Sequence, residues 1–316
     1  MLIWLIPASL ASLIAAVAIG SVPITPSDLA AVLLGGGDPL HQVLVWQLRL
    51  PRALAAFATG GLLALAGALM QVLLRNPLAD PYVLGLSGGA AVGALLAMLA
   101  GLGLAIVSGA AFVGALTSTL LVFGLAHGTG SWTPARLLLT GVVVAAGWGA
   151  VISFLLAVSP NSELPGMLYW LMGDLSHARD PRLAWLVLIL VLLAAWPMGR
   201  TLNVLARGPL QAAALGVAVR PLEWSLYLSA SLVTAVAVTL AGTVGFVGLI
   251  VPHLLRLVIG NDQRLILPAA ALAGGTLLTL ADTMARTLLA PEQLPVGVIT
   301  ALLGVPVFLY LLHRSR

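Results

Sequence analysis

Residues 84–126 run for 43 positions without a charged side chain, and most other long segments of this 316-residue chain are nearly as bare. As one helix the run would be roughly 64 Å long at ~1.5 Å per residue, about twice the hydrocarbon thickness of a bilayer. It must therefore cross twice, and Gly101 with Gly103 marks the break. A water-soluble reading fails on charge: 8% of residues are charged and 61% hydrophobic, against roughly 25% charged in soluble domains.

The same reading along the chain predicts one all-α membrane domain over residues 1–316, with about ten spans: 2–22, 54–74, 84–100, 103–126, 136–158, 183–199, 224–242, 244–260, 265–281 and 296–312. The first is read as a membrane helix, because a cleaved leader wants a basic start and a shorter apolar core. Residues 224–260 are too long for one crossing, and Gly242 to Gly248 supply a reversal, with Pro252 kinking the helix after it. Small residues four apart (Gly60-Ala64-Ala68, Gly89-Gly93-Ala97, Ala110-Gly114-Ser118, Gly141-Ala145-Gly149) predict faces that approach a neighbour closely.

All fourteen basic residues are arginine. Scattered between apolar blocks, they form no nucleic-acid patch. Ten spans put both termini on one side. With that side cytoplasmic, the inner loops hold Arg75, Arg136, Arg200, Arg207, Arg220, Arg256, Arg264, Arg314 and Arg316, and the outer ones Arg49, Arg52, Arg179, Arg182 and Arg286. Nine against five favours cytoplasmic termini.

Much chemistry is excluded. Without lysine or cysteine there is no Gly-x-x-x-x-Gly-Lys-Ser/Thr phosphate loop, no disulfide and no thiolate metal site. Five histidines (41, 127, 177, 253 and 313) lie one per region, which disfavours a metal site; no cofactor is expected. Gly85-Leu86-Ser87-Gly88 resembles the nucleophile motif of rhomboid membrane proteases, with His253 on a later helix, but such a motif arises readily in a chain with 34 glycines. A secondary transporter is the other alternative. It would carry ionisable residues at mid-membrane, and here Asp282 is the only acid near a span, placed to pair with Arg286 four residues on.

Several motifs occur in order: Trp46-Gln-Leu-Arg-Leu-Pro-Arg52, Gly67-Ala-Leu-Met-Gln71, Arg75-Asn-Pro-Leu-Ala-Asp-Pro81, Leu84-Gly-Leu-Ser-Gly-Gly-Ala90, Trp170-Leu-Met-Gly173, Gly245-Phe-Val-Gly-Leu-Ile-Val-Pro-His253, Ala281-Asp282 and Leu294-Pro-Val-Gly-Val-Ile-Thr300. Together, over about residues 46–312, they resemble the permease subunits of iron-siderophore, haem and vitamin B12 ABC importers.

That resemblance implies a homodimer in the bacterial cytoplasmic membrane, with the pathway on its two-fold axis between the fifth, eighth and tenth spans. It also implies two cytoplasmic ATPases below and a substrate-binding protein above. The inner loop 200–223 looks like the family's coupling helices, with Leu202, Asn203, Leu205, Arg207, Gly208, Gln211, Ala212, Leu215 and Gly216 as the contact set. Locally, Leu202 to Arg207 predicts a short helix ending at Gly208, Pro209 opens a second and Gly216 caps it. Relatives usually carry an acid where this chain has Pro209. Arg49, Arg52 and Arg286 would dock the binding protein, the alternative being plain interfacial anchors. Gly245, Gly248, Pro252, His253 and Trp170 are the candidates for the pathway and its gate. Nothing in the sequence separates haem, siderophore and cobalamin as cargo.

Overall fold

The computed structural model describes residues 2–20, 22, 24–127, 133–178 and 180–314. Arg179, Arg316 and the side chain of Arg314, counted in the arginine bias, lie outside what is described. Among the described residues the chain is all helix: α1 (Leu2–Ala18), α2 (Pro26–Leu33), α3 (Pro39–Val43), α4 (Leu50–Leu73), α5 (Leu86–Leu99), α6 (Leu104–His127), α7 (Pro134–Val158), α8 (Leu164–Leu171), α9 (Arg182–Ala195), α10 (Gly199–Ala206), α11 (Pro209–Ala214), α12 (Val219–Ala241), α13 (Val247–Ile259), α14 (Gln263–Thr287) and α15 (Val296–Arg314).

The ten expected spans fall on α1, α4, α5, α6, α7, α9, α12, α13, α14 and α15. Five helical stretches are long and apolar enough to cross alone. The α9–α10 pair, bent by 71°, makes a sixth. Four shorter apolar helices, α1, α5, α13 and α15, complete the set. α5 and α13, at 14 and 13 residues, measure only about 20 Å. Both begin after irregular backbone, which membrane depth tolerates only where protein or a water-filled cavity covers it.

α4 is the central element. A π-helical stretch, Leu44–Arg49, joins it to α3, so helix runs from Pro39 to Leu73 without a break. α9, α12, α13 and α14 pack around it. Gly60 meets Gly274 and Gly67 meets Gly248 at such range that a Cβ on either α4 glycine would strike the facing carbonyl oxygen. The small-residue spacing predicted the close approach at Gly60 but did not include Gly67. Gly89 and Gly93 likewise meet Gly114 and Ala110 across α5 and α6. On α7 the expectation holds at one end only. Gly141 packs on the Val83 carbonyl, while Gly149 faces open space.

Polar links pin the rest. Gly85, at φ +70°, ends a 3₁₀ turn, Pro81–Leu84, and starts α5. Ser118 Oγ donates to the Gly85 carbonyl at 2.8 Å and accepts from Trp148 Nε1 at 2.9 Å. The Gly-rich stretch at 85–89 is thus a packing joint of α5, α6 and α7. No hydrogen bond links Ser87 to His253 among the described residues.

Candidate functional site

α10 and α11 form where local sequence rules place them. After the bend at Trp196–Met198, α10 turns Leu202 and Leu205 into the core, where both are buried. Gly208, at φ +135°, separates the two helices, and Pro209 opens α11. Gly216, at φ +80°, closes it by donating to the Ala213 carbonyl at 2.9 Å. Arg207 and Gln211 are exposed. Ala212 is fully buried within the chain and so faces no partner, while Ala213 and Ala214 are exposed. The most exposed large apolar side chains of this helix pair and its closing turn are Leu210, at 86%, and Leu215, at 72%. Leu210 was absent from the expected set, although a leucine beside a helix-opening proline in a loop was the signal for it.

Asn203 ties this pair to the bundle. Its Nδ2 donates to Asp262 Oδ1 at 2.9 Å, and its Oδ1 accepts from the Gln263 backbone at 2.8 Å. Asp262 also caps α14 by accepting from the Arg264 backbone and pairs with the Arg264 side chain. These bonds to Arg264 and Asn203 hold its carboxyl well below the usual range.

At the other end of the bundle, Arg52 and Arg286 converge on Asp282, with Arg49 close by. Asp282, 1% exposed, receives Arg52 at 2.8 Å and Arg286, its i+4 neighbour, at 3.1 Å. Arg52 Nη1 also donates to Gln293 at 2.7 Å. Arg49 donates to the carbonyls of Val17, Ala18 and Val22, and Arg286 to that of Ala16. The carbonyls of Ala16, Val17 and Ala18 are those at the end of α1 that no helical N–H can reach, and Val22 lies just beyond it. Arg49 and Arg286 are therefore buried, where the sequence suggested exposed outer-face charges, and they close the end of α1. Arg52 is the one of the three that faces the rim beside Gln293.

Between the two ends lies the irregular turn 242–246. Phe246 sits at φ +70° and Gly242 at +65°. The Asp174 backbone donates to the Ala241 carbonyl at 2.8 Å, and Thr243 Oγ1 donates to that of Leu171. Gly245 faces open space, whereas Gly248 is packed between the Leu63 carbonyl and Pro81. Pro252 is buried inside α13, and His253 Nδ1 is buried without a partner among the described residues. Trp170, on α8, borders a cavity of about 670 Å³ with Tyr169, Asp174 and His177. Two polar links escaped the sequence reading. Gln71 of α4 donates to the Leu249 carbonyl at 3.2 Å, and its Oε1 accepts from Arg256. Arg256 thus lies on α13 rather than in a loop, and a glutamine inside an apolar run was the available signal.

The FecCD transport family profile matches residues 8–314 of this sequence. The chain belongs to that family. FecCD-family relatives include the vitamin B12 import permease BtuC of Serratia proteamaculans, 44% identical over 87% of this chain and 83% of its own length. BtuC of Escherichia coli O9:H4 is 39% identical over 88% and 86%. An uncharacterised ABC transporter permease, YvrB of Bacillus subtilis, is 38% identical over 90% and 82%. Among solved structures, an inward-facing metal-chelate type ABC transporter superposes with TM-score 0.88 at 31% identity, covering 99% of this chain and 98% of that one. PsaBC from Streptococcus pneumoniae, at 20% identity and TM-score 0.59, shares the fold. The FecCD assignment makes the chain an ABC-importer permease and displaces both the protease and the secondary-transporter readings.

Proposed function

We propose that two copies of this chain form the membrane pathway of an importer for a large metal chelate. Two separate ATPases bind the α10–α11 face and a substrate-binding protein docks on the opposite one. The carrying observation is the coupling pair. Its inner side is sealed by Leu202, Leu205 and Ala212, while Leu210 and Leu215 point outward, a useless exposure unless a partner covers them. The arginine bias supports cytoplasmic termini in a bacterial cytoplasmic membrane.

Family resemblance supports a docking role for the arginine cluster, and geometry divides it. Arg52 meets a carboxylate of the binding protein, and Arg49 with Arg286 sets the surface it stands on. Gly245 and the turn around it suit a pathway wall, since open space and small side chains let a bulky chelate pass without tight binding. Trp170 and His253 flank that turn as gate candidates.

The test is reconstitution in proteoliposomes with the ATPase and binding protein encoded alongside. ATP-driven uptake of cobalamin, haem and a ferric siderophore is measured separately. Cobalamin comes first, because the BtuC relatives carry vitamin B12 import in their names. One of the three is expected to accumulate only with both partners and ATP. Uptake of none of them, or ATP hydrolysis by the chain alone, overturns the proposal.

A further inference from the structure

On the α10–α11 face, a cavity of about 570 Å³ opens between the end of α4, α10 and the α13–α14 turn. Its volume falls in the ~300–1,000 Å³ range of small-molecule sites. Arg75, Arg207 and Arg256 all line it, and Asp262 is the only carboxylate among its lining residues. That carboxylate is already engaged by the Arg264 side chain at 2.7 Å and by Asn203 at 2.9 Å. Arg256 has no carboxylate partner among the described residues, its partner being the neutral amide of Gln71. A guanidinium on a membrane helix ordinarily finds a counter-charge. Arg75 adds a second peculiarity: it holds φ +50°, a left-handed turn that an arginine adopts only at some cost.

We propose that this cavity is an anion site that takes a phosphate group, gripped by Arg256 from α13, Arg75 from the end of α4 and Arg207 from α10. Within the lining three guanidiniums face one committed carboxylate, and Glu223, outside it, interacts with Arg75 but also with Arg220, so positive charge remains in excess and calls for an anionic ligand. Phosphate is such a ligand, with oxygens that match the planar donor fork of arginine. The group belongs either to a soluble phosphate compound or to an anionic lipid headgroup. The inference goes beyond the transport reading and is independent of it, since it concerns binding by this chain alone.

The full-length chain is placed in nanodiscs of phosphatidylcholine alone and titrated calorimetrically with inorganic phosphate, with sodium chloride holding ionic strength constant. Saturable binding is expected. Arg256→Gln and Arg75→Gln should each weaken it by about tenfold, as loss of a charge-assisted contact does. Arg75 is exposed, so its variant keeps the test valid if Arg256→Gln misfolds. A second titration uses discs containing phosphatidylglycerol. Suppressed phosphate binding there identifies the lipid headgroup as the source, and unchanged binding identifies a soluble ligand; both support the site. Absence of saturable binding in phosphatidylcholine discs overturns it, as does equal binding by wild type and Arg75→Gln. If phosphate fails to bind while Arg75→Gln weakens ATPase assembly, the arginines serve a partner carboxylate instead, and the proposal falls.

Discussion

The most apolar 18-residue windows of the stretch through α4 and of the helix α7 have similar mean hydropathies, 1.9 and 2.2, yet 94% of the first window is buried within the chain and only 11% of the second. Hydropathy sends both into the membrane and says nothing of what each will touch there. Lipid tails are as apolar as leucine, so burial inside the bundle is decided by fit. Along α4, Gly60 and Gly67 bring facing backbones together. Along α7, Gly147 and Gly149 meet nothing in their own chain. The same residue type is a joint in one helix and an open surface in the other.

The largest effect should separate these two directly. Gly67→Leu drives a side chain into the backbone of Gly248, which cannot yield as a side chain can. The cost should exceed the ~1–3 kcal/mol typical of overpacking, and folded protein should disappear from size-exclusion profiles of detergent extracts. Gly149→Leu should extract and run like wild type. Equal loss in both would break the comparison.

Next comes Asp282→Asn. It strips the counter-charge from Arg52 and buried Arg286, so stability should fall by about 3–5 kcal/mol, read as a lower melting midpoint. A midpoint unchanged from wild type would mean that the cluster is held by the α1 carbonyls alone.

A smaller effect is expected on the α10–α11 face. Leu210→Ser combined with Leu215→Ser should leave the melting midpoint intact and weaken ATPase binding about tenfold, ~1.4 kcal/mol. Normal ATPase affinity would show that the partner seats elsewhere.

The smallest belongs to Arg52→Ala. Rim charges mainly set association rate, so capture of the loaded binding protein should slow a few-fold and lose part of its salt dependence. Arg49→Ala should lower the melting midpoint more than it slows capture. If the two variants behave alike, the division of labour in the cluster is wrong.

What the sequence made legible follows from range. The ten spans, the Gly101 break, the reversal at 242–246 and the Gly208–Pro209 joint depend on neighbours a few residues away. Asp282 with Arg286 was readable as an i,i+4 pair. The burial of Arg49 was not, because its acceptors lie at Val17, Ala18 and Val22, about thirty residues back, at the end of α1 and just beyond it. The helix α8 escaped notice because eight residues beginning Leu-Pro-Gly look like loop. The pairing of Gln71 with Arg256 spans 185 positions and left no local trace.

The 71° bend between α9 and α10 has a mechanical meaning. A span that continued straight into the ATPase would act as a piston and move by itself. Turned aside, α10 rests on α4 and α14, and α11 rests on α12, in the manner of a footplate. A push from below then reaches three spans at once through Leu202, Leu205 and Ala212. By this hypothesis the load tilts a block and bends no single helix. Spin-label distances among α4, α12 and α14 should stay constant through an ATP cycle while those to the second copy change, and altered distances within the block would rule the footplate out.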